Sequence, residues 1–292
     1  MTHLWIFYAL ISAFTLATSD ALTKKTLRNI NEYLVAWFRL VFTMPLLFLL
    51  FFWVPVPELD STFFAAFLLA LPLEVIALIL YIKALHCSPL SLTLPFLSFT
   101  PLLLIVVSYI ILGEEVSLRG GFGIFLLAAG SYTLNITKIR DGFWEPLKAI
   151  ARERGSIFMI AVSILYSITS PLGKMAIEHS SPLFFGIAYF TALTCIFTPI
   201  ALWSAKSEVK NFFASGAYKQ LAAPGFFSSC MIISHMIAIS LVQVAYMISV
   251  KRISILIGVM YGYIFFRETQ FKERLLGALL MVAGFALIVI AS

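Results

Sequence analysis

Charge is what this sequence has least of. Only 12% of its 292 residues are Asp, Glu, Lys or Arg, while 61% are hydrophobic; a soluble domain carries about 25% charged and 45–50% apolar residues. That scarcity argues against a water-soluble fold. Cysteine is also sparse. Cys87, Cys195 and Cys230 sit in or beside apolar stretches at no metal-ligand spacing, so they read as packing residues rather than disulfides or ligands. The four histidines, His3, His86, His179 and His235, stand singly, which argues against a metal centre. No G-x-x-x-x-G-K-[ST] loop occurs, which argues against ATP hydrolysis. No serine or carboxylate arrangement suggests a nucleophile with its base. The resulting expectations are no enzyme activity, no cofactor, no metal and no nucleic-acid partner.

What the chain does have is long apolar runs. Hydrocarbon roughly 30 Å thick needs about 20 mostly apolar residues per helix, with every backbone group satisfied inside the helix. Ten such segments can be placed, centred near Phe14, Phe42, Pro72, Leu102, Ala128, Ile164, Ala192, Ile232, Leu256 and Ala283. The expectation is an all-α membrane protein of ten transmembrane helices, with the lipid bilayer as its first partner and a multi-pass plasma or inner membrane as its location. The first segment lacks a basic leader and an Ala-x-Ala site, so a cleaved signal peptide is not expected.

Connections are short except at residues 138–154, a charged stretch whose "FWEPLKAIARERG" reads as an amphipathic helix lying at the interface. It divides the chain into two five-helix units, 1–137 and 155–292. An offset of 154 residues aligns Tyr109 and Ile110 with Tyr263 and Ile264, Glu114 with Glu268, Gly123 with Gly277 and Gly130 with Gly284. In each unit the two glycines are seven apart and share a helix face, which suits close helix packing. Lys24 is echoed by Lys174. A repeated unit with an odd number of spans inserts its second copy upside down, giving two inverted five-helix repeats, an architecture recurrent in secondary transporters. Fifteen basic residues fall in odd-numbered loops against two, Arg119 and Lys174, in even ones. By the positive-inside rule the odd loops are cytoplasmic and both termini lie outside.

The segments "ALHCSPLSLTLPFLSFTPLLLIVVSYIILGEEVSLRGGFGIFLLAAGSY" and "GYIFFRETQFKERLLGALLMVAGFALIV" resemble the drug/metabolite transporter superfamily, specifically its ten-span EamA-type members. Each is similar to that family's proline-bearing helix, acidic Gly-Glu or Arg-Glu turn and Gly-containing last helix. Arg39 resembles the arginine often found in the second span, and Lys174 the lysine ending the sixth. The resemblance implies metabolite export by alternating access without ATP, with substrates ranging from amino acids to nucleotide sugars. It also implies cytoplasmic termini, against the charge count; both agree that the termini share a side. A multi-span membrane enzyme or receptor is the competing class, which the inverted repeat disfavours.

Candidate site residues come from charge and proline inside the oil. Glu74, Lys251 and Arg252 lie furthest from any span end, where each costs about 2.5–3.5 kcal/mol on insertion scales. They should face a cavity or each other. Lys251 and Arg252 are about 100° apart on a helix and align with Leu97 and Ser98, between Pro95 and Pro101. The two prolines predict a kink or break in the fourth span, which either exposes carbonyls to a cavity or merely shapes packing. Tyr81 follows Glu74 by seven residues on the same face. One reading has the basic pair attract a carboxylate or phosphate on a small solute, with Glu74 coupling movement to protons; the other makes the three charges a structural bridge between spans three and nine. Asp20, Glu114 and Glu115 lie near span ends and read first as boundary residues.

Overall fold

The computed structural model of the protein describes residues 4–133, 153–266 and 275–292. The first unit runs α1 (Leu4–Thr26), α2 (Glu32–Phe51), α3 (Ser61–Cys87), the single turn α4 (Leu90–Thr93), a 3-10 turn (Leu94–Ser98), α5 (Phe99–Leu112) and α6 (Leu118–Thr133). The second runs α7 (Arg154–Glu178), α8 (Pro182–Ser204), the short α9 (Val209–Ala214), a 3-10 turn (Ala217–Leu221), α10 (Ala222–Leu241), α11 (Val244–Lys251), α12 (Ile253–Phe266) and α13 (Leu275–Ala291). No strand occurs among the described residues. Eight segments are long and apolar enough to cross a membrane, and two shorter apolar helices, 118–131 and 277–291, accompany them. Most of the linker expected at 138–154, and Glu268, lie outside the described residues.

Local chemistry sets the helix starts. The side chains of Asn31 and Asp60 accept the Tyr33 and Phe63 N–H groups at 2.9 and 2.8 Å, and Ser181 accepts from Phe184. Each cap satisfies a donor that the first helical turn leaves open. The outer surface is apolar: Phe7, Leu68, Ile110, Phe122, Phe265 and Ile290 are all exposed. A contiguous shell of such residues is what lipid solvates and water does not.

The two units interlock. The most extensive helix pairs are α3 with α7, α1 with α10, and α6 with α13. Exchanging the units turns the first of these pairs into the second and leaves the third unchanged, so the packing follows the sequence repeat. In the α6–α13 pair, a Cβ added to Gly130 would stand 2.7 Å from the Gly277 carbonyl oxygen, and one added to Gly284 would stand 2.6 Å from that of Gly123. Backbones approach this closely only where side chains are missing.

Loops sort into two clusters. In one, Lys24 donates to the Ser88 carbonyl at 2.7 Å, Glu32 meets His86 at 3.2 Å, Ser88 bonds Glu153, and Asn31 donates to Glu208 at 2.9 Å. In the other, His179 meets Asp60 at 2.7 Å, Lys174 pairs with Glu114 and donates to the Val242 carbonyl at 2.9 Å, and Ser117 bonds the Tyr246 hydroxyl at 3.1 Å. Glu114 also accepts the Val244 N–H at 2.8 Å, which anchors the start of α11. It can do so because Gly113, with φ of 69°, turns the chain back after α5. Glu114 is thus a buried partner of Lys174 rather than a solvated boundary residue. Among the cysteines, Cys87 and Cys195 are exposed and Cys230 is half-buried, and all are free thiols; the first two are surface residues, not packing ones.

Candidate functional site

Two of the apolar segments are broken at mid-length. In the fourth, α4 ends at Thr93, Pro95 is the second residue of the 3-10 turn, and Pro101 sits in the first turn of α5, where a missing N–H deprives no helical bond. In the ninth, Arg252 alone separates α11 from α12, and with φ of −67° and ψ of −8° it stays right-handed helical, so this interruption is a local tightening of the helix rather than an unwound stretch. Its N–H is shared between the Ile248 and Ser249 carbonyls at 3.2 and 3.0 Å. No proline or glycine marks this second break. It lies 154 residues after Ser98, the end of the first, so the repeat reproduces the interruption where the local sequence does not announce it.

A cavity of about 160 Å³ opens beside the second break. An engineered cavity of similar size accommodates benzene, so a solute of a few heavy atoms fits as the structure stands. Its wall carries four charged side chains: Arg39 from α2, Glu74 from α3, and Lys251 and Arg252. Arg39 and Lys251 are each 8% exposed and Arg252 3%. Lys251 Nζ stands 3.2 Å from His235 Nδ1 and 3.4 Å from Met231 Sδ. Arg252 Nε has no hydrogen-bond partner. Glu74 faces Thr169. No ion pair within 4.0 Å joins Glu74 to Lys251 or Arg252 among the described residues, whereas Arg39 is paired with Asp20 at 3.0 Å.

The residues read from sequence are therefore partly gathered. Arg39, Glu74, Tyr81, Lys251 and Arg252 line one cavity. Pro95, Ser98 and Pro101 are buried but do not line it, and of that break only Leu97 reaches the wall. Ser98 Oγ is buried without a partner. Asp20, expected at a boundary, is 2% exposed in the interior, holding Arg39 and accepting a hydrogen bond from Tyr81. The correction follows from length: α1 continues to Thr26, so Asp20 lies well over a turn inside it.

Sequence reasoning missed Tyr166, Tyr189 and His235. A signal for Tyr166 exists: Tyr166, Thr169, Ser170 and Gly173 fall at i, i+3, i+4 and i+7 of α7 and all line the cavity. Polar and small residues at that spacing in an otherwise apolar helix mark the face turned away from lipid. Tyr189 leaves its hydroxyl buried and unpartnered at the same wall. The arrangement can hold an anion: two cations, Lys251 and Arg252, stand on one wall with Arg39 nearby, and Tyr81, Tyr166, Phe185 and Tyr189 give an aromatic surround.

The profile of the EamA-like transporter family matches the chain twice, over residues 3–136 and 153–290. A solved crystal structure is similar in fold, with TM-score 0.65 at 13% identity, over 98% of this chain and 99% of that one. No curated protein matches by comparison with the chain. The two family matches span both units of the fold, and the chain accordingly belongs to the EamA-like transporter family, within the drug/metabolite transporter superfamily of multi-pass membrane proteins.

Proposed function

We propose that the chain is a secondary active transporter that exports small metabolites, amino acids among them, by alternating access, and that it draws a carboxylate- or phosphate-bearing solute to Lys251 and Arg252. The observation that carries this reading is the buried basic pair at the junction of α11 and α12, both of whose side chains line the cavity. Buried charge is expensive in hydrocarbon, and groups left unsatisfied there tend to serve a solute or ion path. Glu74 on the same wall is the proposed proton carrier.

In this reading the ten apolar segments, eight long and two short, cross a plasma or inner membrane as two inverted repeats, 1–137 and 155–292, joined by an interfacial linker at 138–154. The separation of the loops into two clusters and the exchange symmetry of the helix pairs support it. The competing role for Glu74, Lys251 and Arg252 is a structural bridge between spans three and nine. The absence of a short ion pair between Glu74 and either cation speaks against it. A membrane enzyme or receptor is the other class. Proteoliposomes containing only this protein, loaded with a panel of carboxylates, phosphates and amino acids, test the proposal. Solute leaving the lumen chemically unchanged supports transport; a chemical product, or no movement of any of them, contradicts it.

A further inference from the structure

We infer that Asp20 is the resident counter-anion of Arg39, exchanged for the solute's anionic group when the cavity fills. The inference rests on the anion reading above and adds a residue and a step to it. Arg39, Tyr81 and Ser228 line the cavity, but Asp20 does not. It lies behind them on α1 with both carboxylate oxygens engaged: Oδ1 accepts from Arg39 Nη1 at 3.0 Å and Oδ2 from the Tyr81 hydroxyl. Arg39 Nε donates to Ser228 Oγ at 2.8 Å, and Ser228 is 2.9 Å from Ser19 Oγ. One carboxylate thus gathers α1, α2, α3 and α10 around a guanidinium that faces the cavity.

A guanidinium has five donors in a fixed fork, and the named partners use two of them. The remaining three N–H groups, two on Nη2 and one on Nη1, offer an entering carboxylate or phosphate the same kind of charge-assisted bond that Asp20 accepts. Replacing one anion by another at Arg39 changes little in charge pairing, so solute binding need not be tight, as release requires. It does change the packing. With Arg39 drawn to the solute, the tie between α1 and α2 is lost, which gives the solute a differential interaction with two arrangements of the helices.

The exchange also fixes a proton. Asp20 faces Arg39 on α2 and Tyr81 on α3 and, at longer range, Lys251 on α11, Arg252 at the junction of α11 and α12, and Tyr166 on α7. Once Arg39 turns to the solute, the nearest cation is gone. A buried carboxylate left with the Tyr81 hydroxyl as its one close donor takes up a proton rather than remain ionised. One proton therefore adds to a carboxylate oxygen for each anion bound, donated by hydronium or a protonated buffer acid, whose bond to that hydrogen breaks as the carboxyl O–H forms.

Anion-induced difference infrared spectroscopy on the purified full-length protein tests this, with inorganic phosphate and acetate as separate probes. The expected result is a new carbonyl stretch of a protonated carboxylic acid, shifted in D2O, that is lost in Asp20→Asn and retained in Glu74→Gln. Asp20→Glu, which keeps the acid, should move the band if the asparagine variant does not fold. The acid band appearing with only one probe assigns the solute to that anion's chemistry. Anion-induced changes at arginine bands without an acid band, or an acid band that survives Asp20→Asn, overturn the exchange and leave the anion reading standing. No spectral change with either anion overturns both.

Discussion

Lys24 and Lys174 do the same work in the two repeats: Lys24 Nζ donates to the Ser88 carbonyl at 2.7 Å and Lys174 Nζ to the Val242 carbonyl at 2.9 Å, and residues 88 and 242 are 154 apart. Each lysine closes a helix end and so fixes the entry to the broken segment that follows. The contacts lie in different loop clusters. The arrangement is therefore duplicated rather than shared, one copy in each repeat.

Removing one of these cations should unseat its break. Lys174 and Glu114 are a largely buried pair with side chains 10% and 11% exposed; breaking a fully buried pair costs roughly 3–5 kcal/mol because the partner keeps its charge without a counter-ion, and here the Val244 N–H that Glu114 also accepts makes the loss smaller. Lys174→Met should lower the melting temperature of the purified protein sharply, and adding Glu114→Gln should restore most of the loss. A double variant no better than the single would refute the pairing.

The glycines of α6 and α13 are expected to hold helices together rather than to touch solute. Gly130→Leu and Gly284→Leu put side chains where even a Cβ meets backbone. Folded yield by size-exclusion chromatography should fall several-fold, with the remaining protein unchanged in solute preference. Normal yield with altered selectivity would move these residues into the pathway.

Asp60 caps α3 at the surface. The Phe63 N–H it accepts, and then His179, hold its carboxyl below the ordinary carboxylate range. An acid depressed on folding stabilises above its unfolded pKa of about 3.9 and loses that contribution as pH falls through its lower folded value. Asp60→Ala should thus melt a few degrees below the native protein at neutral pH. Melting curves across pH should bring the two together only in acid below about pH 4. A gap that is constant with pH would rule out the carboxylate as its source.

Topology is directly measurable. Reporters fused after Ser292 and within residues 138–152 should show opposite activities, because five spans separate them, and the charge bias puts the C-terminus outside. Equal activities would contradict the inverted repeat; a cytoplasmic C-terminus would contradict the orientation alone.

Much of the fold was legible because hydrocarbon imposes length and apolarity, and Pro95 and Pro101 announced the first break. The second, at Arg252, was not legible locally, since no residue there forbids a helix; only its register with Ser98 points to it. Glu74, Lys251 and Arg252 stood out as charges deep in apolar runs. Asp20 and Glu114 did not, because a charge near the end of an uncharged run looks solvated until its partner, Arg39 or Lys174, is placed beside it. Those partners are 19 and 60 residues away, and only tertiary packing brings them together.

The central claim, an anionic solute drawn to the basic pair, is tested most directly by transport per folded molecule in proteoliposomes for Lys251→Gln, Arg252→Gln and Glu74→Gln. The account predicts near-native yield for all three. It predicts at least a tenfold loss of anionic-solute transport in the two cation variants, and in Glu74→Gln a weakened proton dependence, with the share carried by Asp20 retained. Full transport per molecule in all three, or reduced yield with transport per molecule unchanged, would contradict it.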